Sequence, residues 1–280
     1  MVSKGVKGAK ADARLENYHD LIAKAQDFTL QRNRFQASRV LIRGIQRESR
    51  GTGAYKELVK TLDELTSVFY TEKAQALFAL AESMSDNRPR EAIEQCQEAL
   101  KLEDGNVSIL KAIARTQIVS RDCAKADATI QAAEAVNPYS PEVRLLRLQV
   151  LDCQKNFEAL SARLTAFETD FEPVEKFAKG LVVKDLIRRD ETKKAKTLLT
   201  AWETQMPDYP EVHFWKWRLA VAMGNTDRAA ALRYTQLCQN LTPRRRKSYI
   251  LDVDLCKGKE AADAFLKESG FQPSSPNGGH

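Results

Sequence analysis

KAQALFALAESMSDNRPREAIEQCQEALKLEDGN, residues 73–106, runs straight into VSILKAIARTQIVSRDCAKADATIQAAEAVNPYS, residues 107–140. Laid one above the other, these two 34-residue stretches put Ala92, Cys96, Ala99 and Asp104 over Ala126, Ile130, Ala133 and Pro138. Within each stretch the apolar residues recur at helical spacing. Turn formers interrupt them at Ser85 to Pro89, at Asp104 to Asn106 and between Pro138 and Pro141. Each stretch therefore predicts two helices of about 12 to 16 residues joined by a short turn.

The same spacing continues toward the C-terminus. Leu160, Leu164 and Phe167 fill it loosely, Ala195, Leu199, Trp202 and Pro207 closely, and Ala230, Tyr234 and Leu237 again, with Pro243 one residue late. Toward the N-terminus, Ala37, Leu41 and Gly44 fit the slots of a second helix. Ala37 stands 55 residues before Ala92, one period plus 21, which predicts an extra single helix near Ala54 to Tyr70. No run alternates as a half-buried strand does, so the chain is expected to be all-α. The expected organisation is a basic, disordered tail at 1–13, a helical pair plus the extra helix at 14–72, the repeats at 73–243, capping helices at 244–269 and a disordered tail at 270–280. The capping pair is read from Arg245 to Cys256 and Lys259 to Ser269, with Ala262 and Leu266 in the small and large slots.

The pattern resembles the tetratricopeptide repeat family, whose unit is a 34-residue helix-turn-helix with small, large, small and proline positions at these offsets. A small residue in the second helix lets the first approach closely, and the larger one four positions on fills the gap between repeats. The repeats are divergent: Ala81 and Met84, Ala114 and Gln117, and Val183 stand where the family usually carries a glycine and an aromatic residue. The resemblance implies a right-handed α-solenoid that serves as a scaffold for a protein or peptide partner. It places Lys111, Arg115, Gln149, Lys184 and Trp215 on the concave groove, a mix that suits a partner with some acidic character. The clamp for chaperone carboxylates is not expected, because Ser108, Ala112, Glu142 and Leu146 occupy positions that would need Lys or Arg.

Of 280 residues, 43% are hydrophobic and 29% charged, within the range of globular proteins, and no stretch approaches the ~20 apolar residues of a membrane span. Lys4, Lys7, Lys10 and Arg14 are not followed by the apolar segment of a secretory signal, which points to the cytoplasm. The five cysteines, Cys96, Cys123, Cys153, Cys238 and Cys256, form no CxxC pair and no metal-ligand spacing, and are expected to be reduced packing residues. The chain contains no phosphate-cradling GxxxxGK[ST], GxSxG elbow or HExxH helix, so neither catalysis nor a cofactor is expected.

A formal charge of +6 is modest, so clustering decides whether it matters. Arg32, Arg34, Arg39, Arg43, Arg47 and Arg50 face a single acid, Glu48, between Gln31 and Arg50. Arg39, Arg43 and Arg47 recur every fourth residue and would form, with Arg50, a basic ridge able to hold phosphates or an acidic surface. This gives the alternative function, a nucleic-acid or phosphate-binding repeat protein. The competing structural reading neutralises the ridge with Glu57, Asp63 or Glu64. A second basic run, Arg244 to Lys247, follows Pro243. In the aromatic stretch 213–218, Phe214 and Trp217 are expected to pack on Trp202 and Tyr234, leaving Trp215 to the groove.

Overall fold

The computed structural model describes residues 5–167, 172–241 and 255–269, with side chains from Asn17 onward in the first stretch and from Glu175 in the second. Among the described residues there are fourteen α-helices and no strand. The chain divides into two compact units, Met1–Asn156 and Phe157–His280.

The first unit holds α1 (Gly5–Leu30), α2 (Arg34–Ile45), α3 (Gly53–Ser67), α4 (Glu72–Met84), α5 (Pro89–Leu102), α6 (Val107–Val119), α7 (Cys123–Val136) and α8 (Pro141–Cys153). The second holds α9 (Phe157–Thr165), α10 (Glu172–Arg188), α11 (Thr192–Gln205), α12 (Pro210–Ala222), α13 (Arg228–Asn240) and α14 (Lys259–Glu268). Helices start where side chains satisfy the free N–H groups of a first turn. Asn33, Thr52, Thr71, Asn106, Asp122 and Asp227 each accept from a backbone N–H two or three residues on, and proline opens α5, α8 and α12.

The repeat reappears in the backbone. Arg121, Lys155, Asp190 and Gly224 take left-handed φ values of 62°, 58°, 59° and 71°, at intervals of 34, 35 and 34 residues, and Arg32 does the same at 58°. In every case the next N–H reaches back to close the helix: Asn33 donates to the Phe28 carbonyl, Asp122 to Gln117, Asn156 to Leu151, Glu191 to Leu186 and Asn225 to Ala220. This is the Schellman ending, here mostly without glycine. Asn33, Asp122 and Glu191 are also the N-caps of the following helices, so one residue finishes a helix and begins the next.

Neighbouring helices pack in series within each unit, each hairpin on the next. The small and large slots are filled as the pattern requires: Ala92, Cys96 and Ala99, Ala126, Ile130 and Ala133, and Ala195, Leu199 and Trp202 are all buried. Ala37, Leu41, Leu160, Leu164, Ala262 and Leu266 are buried too, and the extra helix is α3. Two findings depart from the sequence reading. First, α1 begins at Gly5, inside the stretch expected to be a tail, where Ala9, Ala11 and Ala13 favour helix and no proline intervenes. Second, stacking is not strictly between neighbours, since α3 also touches α6 and α2 touches α7. The run Arg244 to Lys247, most of the helix expected at Arg245 to Cys256, and the C-terminal tail lie outside the described residues.

Those non-sequential contacts are held by buried polar groups. The Arg34 side chain, 2% exposed, donates from Nη1 to the Asp104 carbonyl at 2.7 Å and from Nη2 to the Val68 carbonyl at 2.7 Å and to Glu103 Oε2 at 3.0 Å. The other Glu103 oxygen accepts from the N–H groups of Tyr70 and Thr71 at 2.7 and 2.8 Å and from the Thr71 hydroxyl. The Tyr70 ring lies 4.3 Å from the guanidinium carbon. Asn106 donates to Val68, the Ser38 hydroxyl to the Val136 carbonyl, and Asn137 to Asp63 and Thr66. Residues between Arg34 and Thr71 are thereby tied to turns and helix ends 32 to 98 positions later.

Removing one member of a buried, hydrogen-bonded ion pair strands its partner and costs about 3–5 kcal/mol. Arg34→Ala and Glu103→Ala should each lower unfolding free energy by about that much in urea titration. The double variant should lose less than the sum, because neither charge is left behind alone.

Candidate functional site

The arginines of α2 divide into two kinds. Arg34, counted with the basic run in sequence, is internal. Arg39, Arg43, Arg47 and Arg50 are exposed. Arg39 and Arg43 project from α2, and residues 34–47 contain no acid at all. The helix ends at Ile45, so Arg47 sits in the turn that follows, with its N–H on the Gly44 carbonyl at 3.0 Å. The ridge is thus a helical pair of arginines continued by a turn rather than one uninterrupted helix face.

Two of the acids that could have neutralised the ridge are committed elsewhere: Asp63 accepts from Asn137 at 3.2 Å and Glu64 lies 3.8 Å from Lys60. Among the described residues no carboxylate forms an ion pair with Arg39, Arg43 or Arg47; the guanidinium Nε of Arg43 donates to the Arg39 carbonyl. At the Arg47 end lies a pocket of about 170 Å³, lined by Asn17, Tyr18, Leu21, Gly44, Arg47, Glu48 and Leu58. Its presence depends on how α1, α2 and α3 meet, which the sequence pattern does not carry.

The residues expected in the groove are mostly engaged within the chain. Lys111 is nearly buried and its Nζ lies 2.6 Å from Glu142 Oε2, a pair joining α6 to the start of α8. Arg115 lies 3.9 Å from Glu82 of α4. Gln149, on α8, is half-buried, and α8 packs on α6, so these three share the first unit. In the second unit Lys184 is exposed on α10, and α10 packs on α12, which carries Trp215. The Trp215 indole is half-buried and donates from Nε1 to Glu211 Oε1 at 3.2 Å.

Among the described residues no cation pairs with Glu211. The residue keeps some exposure along its length, but its carboxyl is enclosed by Trp215, by the Tyr209 hydroxyl at 3.5 Å and by Gly180, where any side chain would collide with Oε1. Burial pushes its pKa up to about 7, against the smaller opposing effect of the two hydrogen bonds, and burial likewise raises the Tyr209 phenol. Phe214 contacts Tyr234 at 5.3 Å and Trp217 at 5.9 Å as expected, whereas Trp202 stacks on Tyr209 at 5.8 Å in a separate cluster.

The cysteine reading is corrected. Cys123 and Cys153 form a disulfide between the start of α7 and the end of α8, and Cys238 and Cys256 form another between α13 and the turn before α14; only Cys96 is free, a buried thiol pushed up to about 12. Their separations, 30 and 18 residues, carry no signature, since the pairing arises from helix ends that packing brings within 5.7 and 5.6 Å between Cα atoms. Among the described residues no group of three His, Cys, Asp or Glu gathers as a metal site would, and no helix is long and apolar enough to cross a membrane.

Comparison with protein-family models, curated proteins and solved structures finds no match. The tetratricopeptide likeness rests on the residue pattern alone.

Thiol titration in denaturant without reductant should count one reactive group per chain, and five after reduction; five in both would refute the pairing. The raised pKa of Glu211 means the folded chain holds that proton more tightly than the unfolded chain does. Its contribution to stability is therefore full below about 4.5 and is lost as pH rises through about 7. Thermal melts from pH 5 to 8 should show the wild type losing ground to Glu211→Gln as pH rises; parallel curves would mean that the carboxyl does not titrate in this window.

Proposed function

We propose that this chain is a non-catalytic interaction scaffold, a tetratricopeptide-like array, that binds an acidic partner through the arginine row of α2. The observation that supports this reading most is the contrast among its basic residues. Lys111 and Arg115, expected to face a groove ligand, are turned to carboxylates of their own chain, whereas Arg39, Arg43 and Arg47 stand in solvent with no carboxylate partner among the described residues. Exposed guanidinium groups gain little from the fold and are available to carboxylates or phosphates, which they bind in bidentate fashion. A preformed helical surface has little ordering cost on binding.

The second reading, a nucleic-acid or phosphate-binding repeat, draws on the same row. Two disulfides bear on the choice. The cysteines were expected to be reduced; with four of them paired, we place folding in a compartment where disulfides persist, which favours a protein partner over nucleic acid.

Pull-downs at low salt and at ~0.3 M salt, where screening shortens the reach of exposed charges, separate these readings. The partner should be a protein, and changing Arg39, Arg43 and Arg47 together to Glu should remove it while leaving the helical circular-dichroism signal intact. Retention by the triple variant, combined with loss in Trp215→Ala or Lys184→Glu, would move the site back to the groove.

A further inference from the structure

We infer that the arginine row and the pocket beside it form one docking site for an acidic peptide segment that ends in a single apolar anchor, rather than for a phosphate chain. The inference rests on the ridge reading above and adds the chemistry of the partner.

Arg47 belongs to both features: it continues the row and lines the pocket. The pocket's apolar lining comes from Leu21, Gly44 and the fully buried Leu58, and its polar lining from Asn17, Tyr18, Arg47 and Glu48. A volume of about 170 Å³ is close to what holds a benzene-sized group, and its lining is shared between apolar and polar side chains. Among natural polymers in water, peptides carry such a group beside carboxylates, as a leucine or phenylalanine. A nucleic acid also carries bases of that size, but its continuous negative charge would run against Glu48.

The geometry of the row points the same way. Arg39 and Arg43 are one helical turn apart, a rise of about 6 Å, which is also the rise between acidic residues four apart on a helical peptide. Two carboxylates at that spacing would meet Arg39 and Arg43, and a third would approach Arg47, which the turn after Ile45 carries beside the pocket. A side chain placed one further turn along would lie over the pocket.

Fluorescence anisotropy with synthetic probes tests this. The first probe is a labelled helical peptide with three glutamates four residues apart and a phenylalanine four residues past the last. The second replaces that phenylalanine with alanine, and the third is a single-stranded oligothymidylate of about 12 nucleotides. Anchored peptide should bind wild type, and loss of its phenylalanine should weaken binding about tenfold or more, as burial of one aromatic side chain implies. Asn17→Trp, which puts an indole at the mouth of the pocket from an exposed position, should shrink that difference to about twofold or less, leaving mainly the charge contacts. If the alanine peptide or the oligothymidylate binds as tightly as the anchored peptide and still depends on Arg39, Arg43 and Arg47, the anchor inference is overturned and the ridge reading survives. If the anchored peptide binds equally well after those three arginines become Glu, the ridge reading itself fails. No binding of the anchored peptide overturns the inference outright.

Discussion

Burying a guanidinium and a carboxylate together is expensive unless every donor and acceptor near them is used. The first unit comes close to that requirement: of the side-chain polar atoms of Arg34 and Glu103, Arg34 Nε alone lacks a hydrogen-bond partner among the described residues. Arg34 and Glu103 lie 69 positions apart, and between them they engage the carbonyls of Val68 and Asp104 and the N–H groups of Tyr70 and Thr71. Those backbone groups belong to the link between α3 and α4 and to the turn between α5 and α6. Such links would otherwise leave polar groups unsatisfied on a surface that packing covers. Because the pair fixes where these turns sit, it also allows α3 to reach α6 and α2 to reach α7, contacts that a strictly serial stack lacks.

The outward side of α2 follows from its inward side. Ala37, Leu41 and Ile45 hold one face against the core while Arg34 is drawn inward at the first turn. Arg39 and Arg43 are then left on the opposite face, away from the acids that the rest of the fold uses for its own pairs. Glu103, Glu142, Glu134, Asp127 and Asp185 all serve internal cations, the last three through Arg147, Arg188 and Arg189. A chain of only +6 net charge thus presents a locally concentrated positive row.

Much of the architecture was legible in sequence because it depends on local chemistry. The 34-residue spacing of small and large residues returned as buried side chains, and again as left-handed caps at Arg121, Lys155, Asp190 and Gly224, although only the last is the glycine that would have announced one. What escaped was set by tertiary approach. Arg34 looked like its five neighbours until Glu103 was brought to it, and Cys123 gave no sign of Cys153 until the ends of α7 and α8 met. Glu211 carries no signal in the sequence; Gly180 on α10 lets it be enclosed. Of the candidate site, the ridge was readable as composition, whereas the pocket beside Arg47 and the internal pairing of Lys111 were not.

The account turns on where a partner lands. Hydrogen exchange followed by mass spectrometry, with and without a saturating acidic peptide, reads this out along the whole chain in one experiment. Added protection over residues 34–48, together with the pocket walls of α1 and α3, is the predicted result. Protection over α6 and α8, or over α10 and α12, with α2 unchanged, would contradict it and return the binding surface to the groove.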